Sequence, residues 1–296
     1  VHKDTLIKTE SGLYYTVLRQ GSGAATTDSS MIFVKETIRD LNYNLQGSTE
    51  EEVARQLGMF SYQDAYIPLL WYMGKYSILM GLEEMLQQMN EGEIRRIWLP
   101  YWLSSYAEGG TSENSATMVY DLELVKVVDD IIRYEIDTLE AFRNRHYPGL
   151  DSLDWGFYKK TIVPGTGDSL EHASTVSAYY VGKFLNGHVF DTNVADTAMK
   201  YNIYSSSNTY SELKVTLPDK EEEDDDTETS EEGSVVEGFS KCMLDMRYGE
   251  IAICFFHSDY GYTYEGSTST SSGSYLGGGI PAYMPLFFWI YVPLEE

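Results

Sequence analysis

The strongest constraint on how this chain folds is that it spells one pattern twice. The stretch GLEEMLQQMNEGEI from Gly81 returns as GFSKCMLDMRYGEI from Gly238, 157 residues later. Apolar residues fall at i, i+3, i+4 and i+7 in both, as Leu82, Met85, Leu86 and Met89 and as Phe239, Cys242, Met243 and Met246. That spacing lines one face of a helix. Gly92-Glu93 and Gly249-Glu250 then stop each helix and open a strand. A second pair sets SGLYYTVLRQGSG (11–23) against DWGFYKKTIVPGTG (154–167), with Gly12 and Gly156 lying 144 residues apart. A third sets the strand pattern of residues 117–127 against that of 285–294. Strand, helix, strand and final strand thus occur twice in order, which makes a tandem of similar domains rather than a solenoid.

The repeats put one domain at residues 1–128 and the other at 154–296. The segment between them, 129–153, carries Ile132, Ile136 and Leu139 at helical spacing and ends on His146-Tyr147-Pro148-Gly149, which predicts a helical linker. Each half is expected to be α+β, an antiparallel sheet wrapped around one short helix. A chain of 296 residues is long enough for two separate cores.

Charge excludes several functions. The net charge is −25, which repels phosphate backbones and anionic membranes, so nucleic acid is no partner. Ten carboxylates sit against one lysine between Asp219 and Glu232. That run lacks the spacing and glycine of a calcium loop and reads as a solvated segment. No apolar run approaches the roughly 18 residues a membrane span needs. The five histidines and two cysteines show no metal spacing, Gly21-x-Gly23 does not continue into a dinucleotide fingerprint, and no GxSxG elbow occurs. No cofactor or metal is therefore implied. Cys242 and Cys254 read as two buried thiols, with one disulfide between them as the alternative.

The chemistry-bearing stretch is VSAYYVGKFLNGHVFDTN, Val176–Asn193. Val176, Ala178, Tyr180 and Phe184 alternate on one face, Asn186-Gly187 is a tight-turn pair, and Phe190 and Asp191 arrive together. Further on stand Val235, Val236, Gly238 and Phe239 ahead of the second helix, then Ser258-Asp259-Tyr260-Gly261-Tyr262, Gly279-Ile280-Pro281, and Leu286 and Phe288 on the last strand. Singly, Tyr180, Phe190 and Phe288 are equally core residues of strands, and Asp191 is equally a turn cap. In this order, they resemble the FKBP-type (immunophilin) peptidyl-prolyl isomerases.

The resemblance implies a half-barrel sheet around one helix in each domain, and in the second an aromatic bowl that isomerises prolyl bonds. By that resemblance Tyr180, Phe190, Asp191, Val236, Phe239 and Tyr262 are catalytic, and Val235, Ile280, Phe288 and Leu213 bind substrate. Leu213 stands for the flap aromatic. The partners implied are proline-containing peptide segments of client proteins and a macrolide inhibitor. Phe239 departs from the family's usual tryptophan, and 44 residues separate Phe190 from Val235. A binding or chaperone module that kept the bowl and lost turnover is the alternative.

The first half has no Phe-Asp pair in KETIRDLNYNLQGST (35–49) and no aliphatic-proline element before Met118, though Tyr101, Trp102 and Tyr106 leave an aromatic loop. It is expected to be catalytically silent. The chain starts at Val1 and has Ser/Thr-rich loops. With the similarity to anchored tandem FKBP proteins, these lead to an expected bacterial cell envelope location, lipid-anchored in a longer precursor.

Overall fold

A computed structural model describes residues 5–75, 77–105, 116–219, 235–267 and 279–294. The chain forms two compact units, the first running to Ile131 and the second beginning at Ile132. The acidic run beyond Asp219, Tyr106 and the serine-rich tract before Gly279 lie outside the described residues.

In chain order the first unit holds strands β1 (Ile7–Lys8), β2 (Tyr14–Arg19), β3 (Met31–Arg39) and β4 (Leu45–Ser48), helix α1 (Glu51–Gln56), strand β5 (Leu69–Tyr72), helix α2 (Met80–Leu86), and strands β6 (Ile94–Leu99) and β7 (Met118–Val128). Its antiparallel sheet runs β1-β2-β6-β7-β3-β4, with β5 also paired to β3. Helix α3 (Ile131–His146) follows. The second unit continues with β8 (Phe157–Val163), β9 (Thr175–Phe184), β10 (Val189–Thr192), α4 (Ala195–Lys200), β11 (Leu213–Thr216), α5 (Glu237–Met243), β12 (Ile251–Phe256) and β13 (Leu286–Tyr291). Its antiparallel sheet runs β10-β9-β13-β12-β8, with β11 paired to β9. Strand for strand, β2 to β7 and β8 to β13 have one topology, so the sequence repeat is a repeat of fold.

The repeat extends to packing. Gly81 opens α2 against Leu99, where an added Cβ would come within 2.4 Å of the leucine, and Gly238 opens α5 against the Phe256 ring, at 2.5 Å. Each helix therefore sits on the end of the strand that follows it. Both helices are shorter than their apolar spacing predicts. Met89 and Met246 lie past the helix ends, in turns closed by bonds to Leu86 O (3.1 Å) and Met243 O (3.0 Å). The turns keep both methionines inside the cores.

Alternation along β12 assigns the two faces of the second sheet. Cys254 and Phe256 face α5, whereas Ile253 and Phe255 join Tyr158 and Phe287 in a cluster covered by Ile136 and Leu139 of α3. The segment between the repeats is thus a helix, as its spacing predicts, and it seals the second sheet's outer face. Cys242 and Cys254 are free and fully buried.

Candidate functional site

The inner face of the second sheet carries a bowl of rings. Phe288 of β13 lies at its centre, 5.2 Å from Phe239, 5.8 Å from Phe190, 5.9 Å from Phe256 and 6.4 Å from Tyr180. Tyr180 meets Phe239 edge-on at 5.6 Å, and Phe190 rests on Phe184 at 5.1 Å. Edge-to-face pairs of this kind place positive ring edges on negative ring faces and fix the orientation of each side chain. Phe239 and Phe288 are buried, whereas Tyr180 and Phe190 are half-buried and form the rim.

Two features let so many rings share one face. The first is Gly182 on β9, opposite Phe288. A Cβ there would stand 2.6 Å from the Phe190 ring and 3.0 Å from Phe288. The second is a bulge in β10, where the register with β9 jumps from Val189 to Asp191 and leaves Phe190 as the extra residue. Successive residues of a regular strand point to opposite faces, but a bulge re-aims them. Phe190 therefore reaches Phe288 while Asp191 reaches Tyr180.

Asp191 is exposed, and both its oxygens are held. The Tyr180 hydroxyl donates to Oδ2 at 2.6 Å, and the Thr192 N–H donates to Oδ1 at 2.8 Å. Burial and then the Asp191 charge push the Tyr180 hydroxyl well above the usual tyrosine range, so it stays a donor. Tyr262 is raised by the same two causes in the same order, which puts a second hydroxyl in the field of that carboxylate. Asn193 anchors the strand from below. Its Oδ1 accepts from Tyr180 N–H (2.8 Å), and its Nδ2 donates to Ala178 O and Ser211 O (both 2.9 Å).

The remaining predicted residues lie next to α5, on β11 and in the segments after β12. Val236 caps α5 and supports the helix that carries Phe239; its N–H has no partner among the described residues. Val235 precedes it, half-buried. Tyr262 and Ile280 sit on two segments joined by bonds between Ser267 and Ile280 and by Tyr283 N–H to Thr263 O (2.8 Å). Leu213 pairs with Ala178 across β11 and β9, which puts it on the bowl's face of the sheet, beside Tyr180.

Sequence reasoning missed Phe256, which stacks on Phe288, and Glu135 of α3. Glu135 is buried and accepts from the N–H (2.7 Å) and hydroxyl (2.8 Å) of Ser258, at the root of the loop that carries Tyr262. Burial raises its carboxyl to about 7. Ser258 opened the loop pattern, but nothing local pairs it with a residue 123 positions earlier. Lys241 and the Tyr260 hydroxyl both bind Asp154 Oδ2, at 2.7 and 2.9 Å, which ties that loop to α5.

The first unit has a different wall in the same place. By strand register Glu36 occupies the position of Tyr180, Ile38 that of Gly182, Gln46 and Gly47 those of Phe190 and Asp191, and Tyr120 that of Phe288. The bulge is retained, and Thr49 accepts from Glu36 N–H (2.9 Å) as Asn193 does from Tyr180. Among the described residues no bowl of rings forms here. Trp102 of the loop is half exposed and bonds to Ser11 O at 3.3 Å.

Two antiparallel half-barrel domains in tandem, one of them carrying a cluster of rings on its inner face, define a tandem α+β class. The family model described as FKBP-type peptidyl-prolyl cis-trans isomerase matches residues 40–125 and 167–292. The chain belongs to that family. The second match includes the strand of Tyr180, whereas the first begins after β3 and the strand of Glu36. Among solved structures, the chain is similar to the three FKBP domains of wheat FKBP73 (16% identity, 96% of this chain and 95% of that one, TM-score 0.33). It is also similar to a peptidyl-prolyl cis-trans isomerase of Pseudomonas syringae (20%, 56% and 96%, TM-score 0.36) and to FkpA of Escherichia coli (21%, 43% and 53%, TM-score 0.32). A comparison with curated proteins found no match.

Proposed function

We propose that the second domain is a peptidyl-prolyl cis-trans isomerase that works through the Phe288 bowl on proline-containing segments of client proteins and so assists their folding. The observation that carries this reading is the ring cluster with a fixed carboxylate, Asp191, at its rim. The barrier to prolyl rotation, about 20 kcal/mol, comes from amide resonance. The twisted amide has lost its C–N double-bond character and is less charge-separated than the planar one. A dry aromatic wall therefore favours the twisted form over the planar one, relative to water. Each 1.36 kcal/mol of that difference is about tenfold in rate.

Phe190, Phe239 and Phe288 grip the proline ring. The Val236 N–H and the Tyr262 hydroxyl donate to substrate carbonyls. Asp191, already held by Tyr180 and Thr192, sets the field beside the twisting amide without taking a proton. Val235, Ile280 and Leu213 line the approach. The same bowl would admit a macrolide. The first domain, with Glu36 and Gln46 in place of Tyr180 and Phe190, does not isomerise. The resemblance to anchored tandem proteins supports a place in the bacterial envelope; no helix among the described residues is long and apolar enough to cross a membrane.

The test is exchange NMR on an Ala-Leu-Pro-Phe peptide with the intact chain and with Tyr262→Ala and Asp191→Ala. Acceleration that both substitutions weaken is the expected result. Peptide binding without acceleration would replace the enzyme by a binding module.

A further inference from the structure

The first domain's counterpart of the bowl is an open cavity. It offers about 470 Å³ of empty space, open solvent included, and is lined by Glu36, Ile38, Gln46, Tyr66, Ile67 and Leu69 beside the β4 bulge. Ile38, Ile67 and Leu69 make it apolar on two sides. The polar groups around it are mostly committed. Thr49 Oγ1 serves the Glu36 backbone, Ser48 is bonded to Thr37, and the Tyr66 hydroxyl accepts from Ser61 N–H. Glu36 stands apart. It is only 8% exposed, and no described side chain donates to its carboxylate. A buried carboxylate without a partner is costly unless a cation or a proton joins it.

We propose that this cavity is a binding site for the lysine side chain of a partner polypeptide, with the ammonium against Glu36 and the four-carbon stem against Ile38, Ile67 and Leu69. It uses the first domain alone and is independent of the isomerase reading. Three observations select this ligand over others. A single carboxylate among apolar walls matches one compact charge carried on a flexible alkyl stem. The apolar walls suit an alkyl stem that a free metal ion would leave uncovered. The net charge of −25 draws cations to the surface before any contact forms.

The charged and titratable groups around Glu36 leave the site anionic. Lys35, the next residue along β3, points away and pairs with Glu50 at 3.1 Å. From β7, Tyr120 faces it as a neutral phenol, its pKa raised by burial and then by the Glu36 charge. Tyr66 is likewise raised, chiefly by burial, and stays neutral. Burial alone pushes Glu36 to about 7, so near neutrality a proton competes with the ammonium for the same carboxylate.

The experiment titrates the full chain with N-acetyl-lysine methylamide, following labelled Glu36 by carbon NMR. The isosteric probe N-acetyl-norleucine methylamide runs beside it, and n-butylammonium distinguishes a free amine from a peptide-borne one. The lysine probe should bind at least tenfold more tightly than the norleucine probe and more tightly than n-butylammonium. Its affinity should rise about tenfold between about pH 6 and pH 8 as Glu36 loses its competing proton. Glu36→Gln, which keeps shape and removes the charge, should abolish both the preference and the pH dependence while the amide spectrum stays folded. Equal binding of the lysine and norleucine probes would overturn the proposal, as would no binding up to tens of millimolar or an unchanged Gln variant. Tighter n-butylammonium binding would overturn the polypeptide source of the ammonium.

Discussion

Adding one methyl group at Gly182 should dismantle the bowl. The residue lies in extended backbone that alanine adopts without strain, so the whole effect comes from the side chain. The new Cβ would stand 2.6 Å from two atoms of the Phe190 ring and 3.0 Å from Phe288. Phe288 cannot give way, because it is buried between Phe239 and Phe256. Phe190 can, but only by leaving its seat on Phe184 and turning toward solvent. Overpacking of this size costs about 1–3 kcal/mol. With a urea slope of about 2 kcal/mol/M, the second domain's midpoint should fall by about 0.5–1.5 M. Prolyl exchange should slow by tenfold or more if the rim ring grips the proline as proposed. The double variant Gly182→Ala/Phe190→Leu isolates the cause, because a smaller residue at 190 removes the clash. Its loss of stability should be less than the sum of the singles by about 1 kcal/mol. Full activity and an unmoved midpoint in Gly182→Ala would refute the account of the bowl.

Tyr180→Phe removes a donor to an exposed carboxylate that water can replace, so stability should change by less than about 1 kcal/mol while isomerisation weakens. Native-state NMR exchange and urea midpoints separate the two. Glu135 has its carboxyl raised from 4.5 to about 7 by burial, so the folded state holds that proton longer than the unfolded chain. The stability it supplies is complete below about pH 4.5 and is lost as pH rises through about 7, on the order of 1–3 kcal/mol. Glu135→Gln should flatten that slope in second-domain resonances; an unchanged slope would assign it elsewhere. Burial raises the Cys254 thiol well above its usual range, and both thiols are fully buried. Alkylation should therefore follow unfolding of the second domain rather than reagent concentration, and fast modification of the native chain would contradict the packing of α5 on β12.

The sequence made the repeat legible because helix spacing and glycine stops are local signals. The bowl was legible in part. Tyr180, Phe190, Asp191, Phe239 and Phe288 could be picked out along the chain and lie together in the fold, but what lets them do so is not visible in any one segment. Gly182 matters because of two rings elsewhere in the sequence, and the bulge that turns Phe190 and Asp191 to one face exists only once β10 pairs with β9. Glu135 and Phe256 were hidden for the same reason, since each acts through a partner brought to it by the fold.

The repeat has three offsets, the last of which sets β7 on β13 at 168 residues. Strands β2 to β5 map onto β8 to β11 at 144 residues, whereas α2 and β6 map onto α5 and β12 at 157. Thirteen extra residues of the second half therefore fall between β11 and α5, in the stretch that holds the acidic run, and eleven more between β12 and β13. Before the first of these points the register is unbroken, so Glu36 and Tyr180 are one structural position filled twice. Both side chains stand where a strand N–H is held by the residue that follows a β-bulge, Thr49 or Asn193. The scaffold is indifferent to which side chain it presents. In the second domain a phenol points at a carboxylate and rings close over the floor. In the first, the carboxylate itself points inward, Gln46 stands in place of the Phe190 ring and Ile38 in place of Gly182, and a cavity opens. One fold thus presents a cluster of rings and a carboxylate-bearing cavity on the same chain, and a substitution at one of these positions should leave ligand binding at the other unchanged.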